Sequence, residues 1–158
     1  MNTENTIQPV DLIEHPEGGR FKEVFRSIEK IRRADGTERR ALTHIYFSLK
    51  KEEVSKFHKV SSDEVWNLYK GDGIRLYLWD GTESEPDMIE LSIENNSFCY
   101  VVPAGIWQAA EPICVSDRCE DILVGCSVGP GFEFEDFELI DKDSDEAKLL
   151  GQEWGRFC

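Results

Sequence analysis

Phe57-His58-Lys59-Val60-Ser61-Ser62-Asp63-Glu64-Val65-Trp66-Asn67-Leu68-Tyr69-Lys70-Gly71 is the stretch whose reading decides the fold. Residues 65–69 alternate apolar and polar side chains, the period of a strand with one buried face. Gly71-Asp72-Gly73 supplies a turn, and residues 74–79 return with the same alternation. Residues 88–93, 98–102, 106–110 and 122–128 follow as short apolar segments parted by polar loops. Upstream, residues 21–32 and 39–49 flank Asp35-Gly36, a hairpin turn signal. Many short strands with frequent turns predict an all-β sandwich or barrel. A short helix is expected over residues 6–13. A second is expected from Ser144 to about Trp154, capped by Asp143 or Ser144, with Ala147, Leu150 and Trp154 at helical spacing.

The chain has 158 residues, 18 basic and 32 acidic, for a net charge of −14. That length fits a single domain, residues 1–158, and a chain of this size buries about 68–70% of its unfolded surface. Residues 1–60 hold 12 basic and 10 acidic groups, and residues 61–158 hold 6 and 22. Nucleic-acid and membrane partners are not expected, because phosphate contacts need clustered Lys and Arg.

The first residues lack the basic and apolar regions of a signal peptide. Cysteines stand at 99, 114, 119, 126 and 158, an odd count without CxxC spacing. Cys99 and Cys126 lie in apolar runs and are expected as buried thiols, Cys114 and Cys119 as reduced loop thiols. A cytoplasmic, reducing location is expected.

Two segments carry the chemistry: the opening stretch, and Tyr100-Val101-Val102-Pro103-Ala104-Gly105-Ile106-Trp107-Gln108. In both, the spacing resembles the paired motifs of the cupin superfamily, in the run Glu64 to Gly71 and in the frame Pro103-x-Gly105-x-x-Gln108. Further segments strengthen the likeness. These are His15-Pro16-Glu17-Gly18-Gly19 with Glu23 and Arg26, Thr43-x-Ile45-Tyr46-Phe47, and Gly129-Pro130-Gly131-Phe132-Glu133-Phe134-x-Asp136-Phe137-Glu138-Leu139. Together they resemble cupin family five, small single-cupin proteins classed as a domain of unknown function, over about residues 7–140. The resemblance implies one jelly-roll barrel, commonly a homodimer, similar in structure to dTDP-sugar epimerases. Residues 141–158 add the C-terminal helix.

The resemblance carries His58 and Glu64 onto two metal-ligand positions of the cupin motif. Val60 and Gln108 occupy the other two. Val60 has no donor atom, and an amide carbonyl is a weak transition-metal ligand. No cofactor is expected; should a divalent metal bind, His58, Glu64 and Gln108 are its candidate ligands. The favoured reading is a pocket for a small polar metabolite that works without metal. His58 is then the base, with Glu64 its partner. Gln108, Trp66, Tyr46, Tyr77 and Arg26 are the candidate substrate contacts. The reaction expected is isomerisation, epimerisation or elimination on a sugar-like or nucleotide-linked carbonyl compound. The alternatives are binding without catalysis and a metal-dependent cupin. The basic hairpin, Lys30 to Arg40, is read as a solvated edge, and the acidic run 133–145 as solvated surface.

Overall fold

A computed structural model describes residues 7–82, 85–115 and 120–158. Its thirteen strands are β1 (Ile13–Glu14), β2 (Arg20–Arg26), β3 (Lys30–Arg32), β4 (Glu38–Arg40), β5 (Thr43–Leu49), β6 (Ser55–Val60), β7 (Asp63–Lys70), β8 (Gly73–Trp79), β9 (Asp87–Ser92), β10 (Cys99–Val102), β11 (Trp107–Ile113), β12 (Ile122–Gly129) and β13 (Phe137–Leu139). One sheet has the order β1-β2-β5-β12-β7-β10, and the facing sheet has the order β13-β6-β11-β8-β9. Every pairing is antiparallel. This is a jelly-roll barrel. The alternation at residues 65–69 and 74–79 is the inside–outside alternation of β7 and β8.

Each inward face changes character along its strand. In β5 it runs from Thr43 and Ile45 to Phe47 and Leu49; in β7 it runs from Glu64 to Trp66 and Leu68. β12 runs the other way in sequence, with Ile122 and Val124 beside the leucines and Cys126 and Val128 beside Thr43 and Glu64. One end of the barrel is therefore packed solid with apolar side chains, and polar groups gather at the other.

The five-stranded sheet is buried on its outer face as well. Phe57, Trp79, Trp107 and Ala109 pack there against Ile140, Ala147, Leu150 and Phe157. The cover is the C-terminal segment. α1 (Asp145–Leu150) is capped by Ser144, whose side chain accepts the Ala147 N–H at 3.1 Å. The helix is shorter than expected, because Gly151 turns left-handed at φ 94° and the chain continues as a 3-10 turn over Gln152–Phe157.

Other expectations need correction. The described residues 7–13 form no helix; Asp11 has φ 57° and Pro9 lacks an N–H, and the segment leads into β1 instead. The strand expected over residues 21–32 breaks into β2 and β3, and that over residues 39–49 into β4 and β5. Cys99 is exposed, because its strand β10 lies at a sheet edge. Cys126 is buried as expected. Cys114 is disulfide-bonded rather than reduced, and Cys119 lies outside the described residues. The acidic run is not all solvated surface, since Asp136 holds Arg39 in a two-pronged pair at 2.7 and 2.8 Å and Arg33 at 3.1 Å. Those bonds tie the basic β3–β4 hairpin to the barrel, so only its tip is a free edge. No helix among the described residues is long and apolar enough to cross a membrane.

Candidate functional site

The polar end of the barrel holds a cavity of about 80 Å³. That is room for a small ligand rather than a lone water. His58 reaches it from β6 and Glu64 from β7, on opposite sheets. The two-residue connection Ser61-Ser62 carries the chain between the sheets and lets both side chains face inward.

Glu17 is the group that motif reasoning left without a role. It sits in the bend His15-Pro16-Glu17-Gly18-Gly19 and is 5% exposed. Gly18 and Gly19 make the bend possible at φ 107° and 68°. A Cβ on Gly18 would lie 2.2 Å from the Val54 carbonyl oxygen. The bend is held by Lys56 N–H on the Glu17 carbonyl at 2.7 Å. Inside the cavity Glu17 Oε1 accepts the Ser55 hydroxyl at 2.8 Å. Its Oε2 lies 3.2 Å from His58 Nε2 and 3.3 Å from His15 Nδ1.

Those contacts fix where protons reside. His58 Nδ1 faces the Lys56 carbonyl at 2.7 Å, so Nδ1 carries the hydrogen and Nε2 of the neutral ring is a lone pair. His15 Nδ1 faces the backbone N–H of Glu17 at 3.4 Å, so that nitrogen is an acceptor too. An ionised Glu17 would then point one oxygen at two lone pairs. One proton resolves the conflict, on Glu17 or on His58. Burial pushes Glu17 up to about 7, opposed by His15 and Ser55. Burial pushes His58 down, opposed by the charge of Glu64. Both shifts favour the neutral pair, with the Glu17 O–H donating to His58 Nε2. Phe137 stacks on the His58 ring at 5.5 Å and 29°.

Glu64 is held from behind. Gln108 donates its amide N–H to Glu64 Oε2 at 2.6 Å and accepts the Trp66 indole N–H at 2.8 Å. Trp66 can only donate, so the Gln108 oxygen must face it and the NH2 must face Glu64. Burial raises the Glu64 pKa, opposed by His58 and by hydrogen bonds from Gln108 and Cys126.

The sequence-derived set therefore divides. His58, Glu64 and Arg26 line the cavity. Gln108 and Trp66 are buried behind Glu64 and position it without lining the cavity. Tyr46 and Tyr77 do not line it either. Their neighbours Ile45, Phe47, Leu76 and Leu78 take the inward parity, which turns both tyrosines outward. The Tyr46 hydroxyl donates to the Ile7 carbonyl at 3.1 Å, and the Tyr77 hydroxyl to Glu111 at 2.6 Å. The ligand set His58, Glu64 and Gln108 does not fit a metal ion, because Gln108's oxygen is committed to Trp66. Among the described residues no three His, Cys, Asp or Glu side chains are placed to hold one.

Glu23 and Arg26 meet at the cavity mouth. Three residues apart, they would face opposite ways on a regular strand. The register of β2 on β5 slips between Glu23 and Phe25, and this bulge turns both to one side. Arg26 forks onto Glu23 at 2.7 and 3.0 Å and reaches Glu133 at 2.6 Å.

The sequence pattern of the cupin superfamily group DUF985 matches residues 4–140. The chain belongs to that cupin family. It is 31% identical over 160 residues to the uncharacterized protein YML079W of Saccharomyces cerevisiae, covering 93% of this chain and 79% of the yeast protein. The crystal structure of protein SO0799 from Shewanella oneidensis superposes with a TM-score of 0.75 at 30% identity, covering 98% of this chain and 93% of that one. Oxalate decarboxylase of Bacillus subtilis shares the cupin fold alone. Its TM-score is 0.57 at 14% identity, over 82% of this chain and 30% of that one.

Proposed function

We propose that this cupin cavity binds a small polar carbonyl compound and moves a proton on it, as an isomerase, epimerase or lyase does. The observation that supports this is the buried Glu17–His58 pair, whose Oε2 and Nε2 lie 3.2 Å apart at the cavity wall. Neutral Glu17 donates its proton to the carbonyl oxygen of the ligand. His58 Nε2, relieved of that hydrogen bond, takes a proton from the adjacent carbon. The ligand becomes an enol, and the pair becomes carboxylate and imidazolium, each stabilising the other. Returning a proton to another carbon, or to the opposite face, completes isomerisation or epimerisation; loss of a leaving group from the enol completes elimination. Glu64, held by Gln108, stabilises the imidazolium.

A homodimer and a cytoplasmic location remain part of this reading.

The test begins with mass spectrometry of small molecules that co-purify with the protein. The carbonyl compounds found are then incubated with it in deuterium oxide. Deuterium uptake next to the carbonyl, lost in His58→Ala and Glu17→Gln, supports the reading. Tight binding with no exchange assigns binding without catalysis.

A further inference from the structure

We propose that the cavity selects a ligand bearing a positive charge, a small ammonium compound, over phosphorylated or nucleotide-linked ones. This rests on reading the cavity as a ligand site and adds the charge of its occupant.

Carboxyl groups dominate the walls. Glu17, Glu23, Glu64 and Glu133 line the cavity against one guanidinium, Arg26. Arg26 is already matched: Nε and one Nη2 hydrogen serve Glu23, Nη1 serves Glu133, and Nη2 also reaches the Phe132 carbonyl at 3.2 Å. No fork remains to take a phosphate. With Glu17 carrying the shared proton, the mouth carboxylates Glu23 and Glu133 still outnumber Arg26, so the net charge of the walls is negative.

The rest of the lining is aromatic. Phe21, Phe47, Phe132, Phe134 and Phe137 ring the space. Phe132, Phe134 and Phe137 contact one another at centroid distances of 5.1, 6.0 and 6.1 Å. Aromatic faces attract a desolvated cation and give a phosphate nothing. Glu64, 7% exposed at the cavity wall and not paired with Arg26, is the carboxyl left to answer the charge of a bound cation.

The experiment compares choline with its neutral carbon analogue 3,3-dimethylbutan-1-ol, of the same shape, and with inorganic phosphate, by calorimetry on the full chain. Choline is expected to bind at least about tenfold more tightly than the alcohol, in line with a buried cation–aromatic contact. Glu64→Gln should remove most of that preference while leaving the alcohol's affinity alone. Glu133→Gln, at the more exposed mouth, should weaken choline binding. Equal affinity for choline and the alcohol, tighter binding of phosphate to the unaltered protein, or no choline binding overturns the proposal. The deuterium assay separates the two readings. Choline binding with no exchange on any co-purifying carbonyl compound sinks proton transfer alone, and exchange on anionic carbonyl compounds without choline binding sinks the charge preference alone.

Discussion

Glu17 Oε2 and His58 Nε2 stand 3.2 Å apart, while the other nitrogen of His58 is fixed on the Lys56 carbonyl. The sharing of one proton between these two groups follows from hydrogen-bond chemistry, and the pH behaviour of the protein follows from it.

Glu17 has a pKa of about 7 when folded, raised from an ordinary 4.5. A raised carboxyl pKa contributes stability that is complete below pH 4.5 and is lost as pH rises through 7. Glu17→Gln abolishes that loss. Relative to the unaltered protein the variant should gain stability between pH 5 and pH 8, by up to about 3 kcal/mol. Urea unfolding across that range checks it; a pH-independent difference contradicts it. His15 and His58 act in the opposite sense. Their lowered values remove stability as pH falls through 6.5, so they shape the acid limb of the curve in both proteins.

Gln108 satisfies two buried partners at once, Glu64 and Trp66. Gln108→Leu strands a carboxylate oxygen and an indole N–H, each at about 1–3 kcal/mol. Chemical denaturation should show a loss of about 2–5 kcal/mol. A loss below about 1 kcal/mol would mean that water replaces the amide.

Gly18→Ala drives a Cβ into the Val54 carbonyl at a left-handed position. The bend that delivers Glu17 must shift. Stability should fall by about 1–3 kcal/mol, and the His58 side-chain resonances should move as Glu17 withdraws. Unchanged resonances would show that the bend does not position Glu17.

Asp136→Ala releases Arg33 and Arg39 from the segment that bears Phe134 and Phe137. Amide hydrogen exchange should quicken over residues 28–40 and 132–137 together. Faster exchange in the hairpin alone would show that the cavity wall stands without the strap.

The alternation around residues 57–71 made the barrel legible, and the cupin resemblance marked His58 and Glu64 within it. Parity also carried the signal against Tyr46 and Tyr77, since Ile45, Phe47, Leu76 and Leu78 claim the inward positions. Glu17 was hidden because its bend is neither strand nor helix and has no period to read. The two glycines after it were the available sign that the chain reverses there. Gln108 and Trp66 were legible as site residues, but the bond between them was not, because nothing in the residue types says which indole and which amide will meet across the two sheets. The sealed outer face of the five-stranded sheet was foreshadowed by Ala147, Leu150 and Trp154. The bulge that pairs Glu23 with Arg26 leaves no mark in the residue types.

The most direct test is NMR on protein with nitrogen-15 in its histidine rings and carbon-13 in its glutamate carboxyls, titrated from pH 5 to pH 9. A neutral His58 with its hydrogen on Nδ1 near pH 7 is expected, with a Glu17 carboxyl that titrates at about 7. A Glu17 that titrates near 4.5 beside a His58 carrying hydrogens on both nitrogens at pH 7 would contradict it.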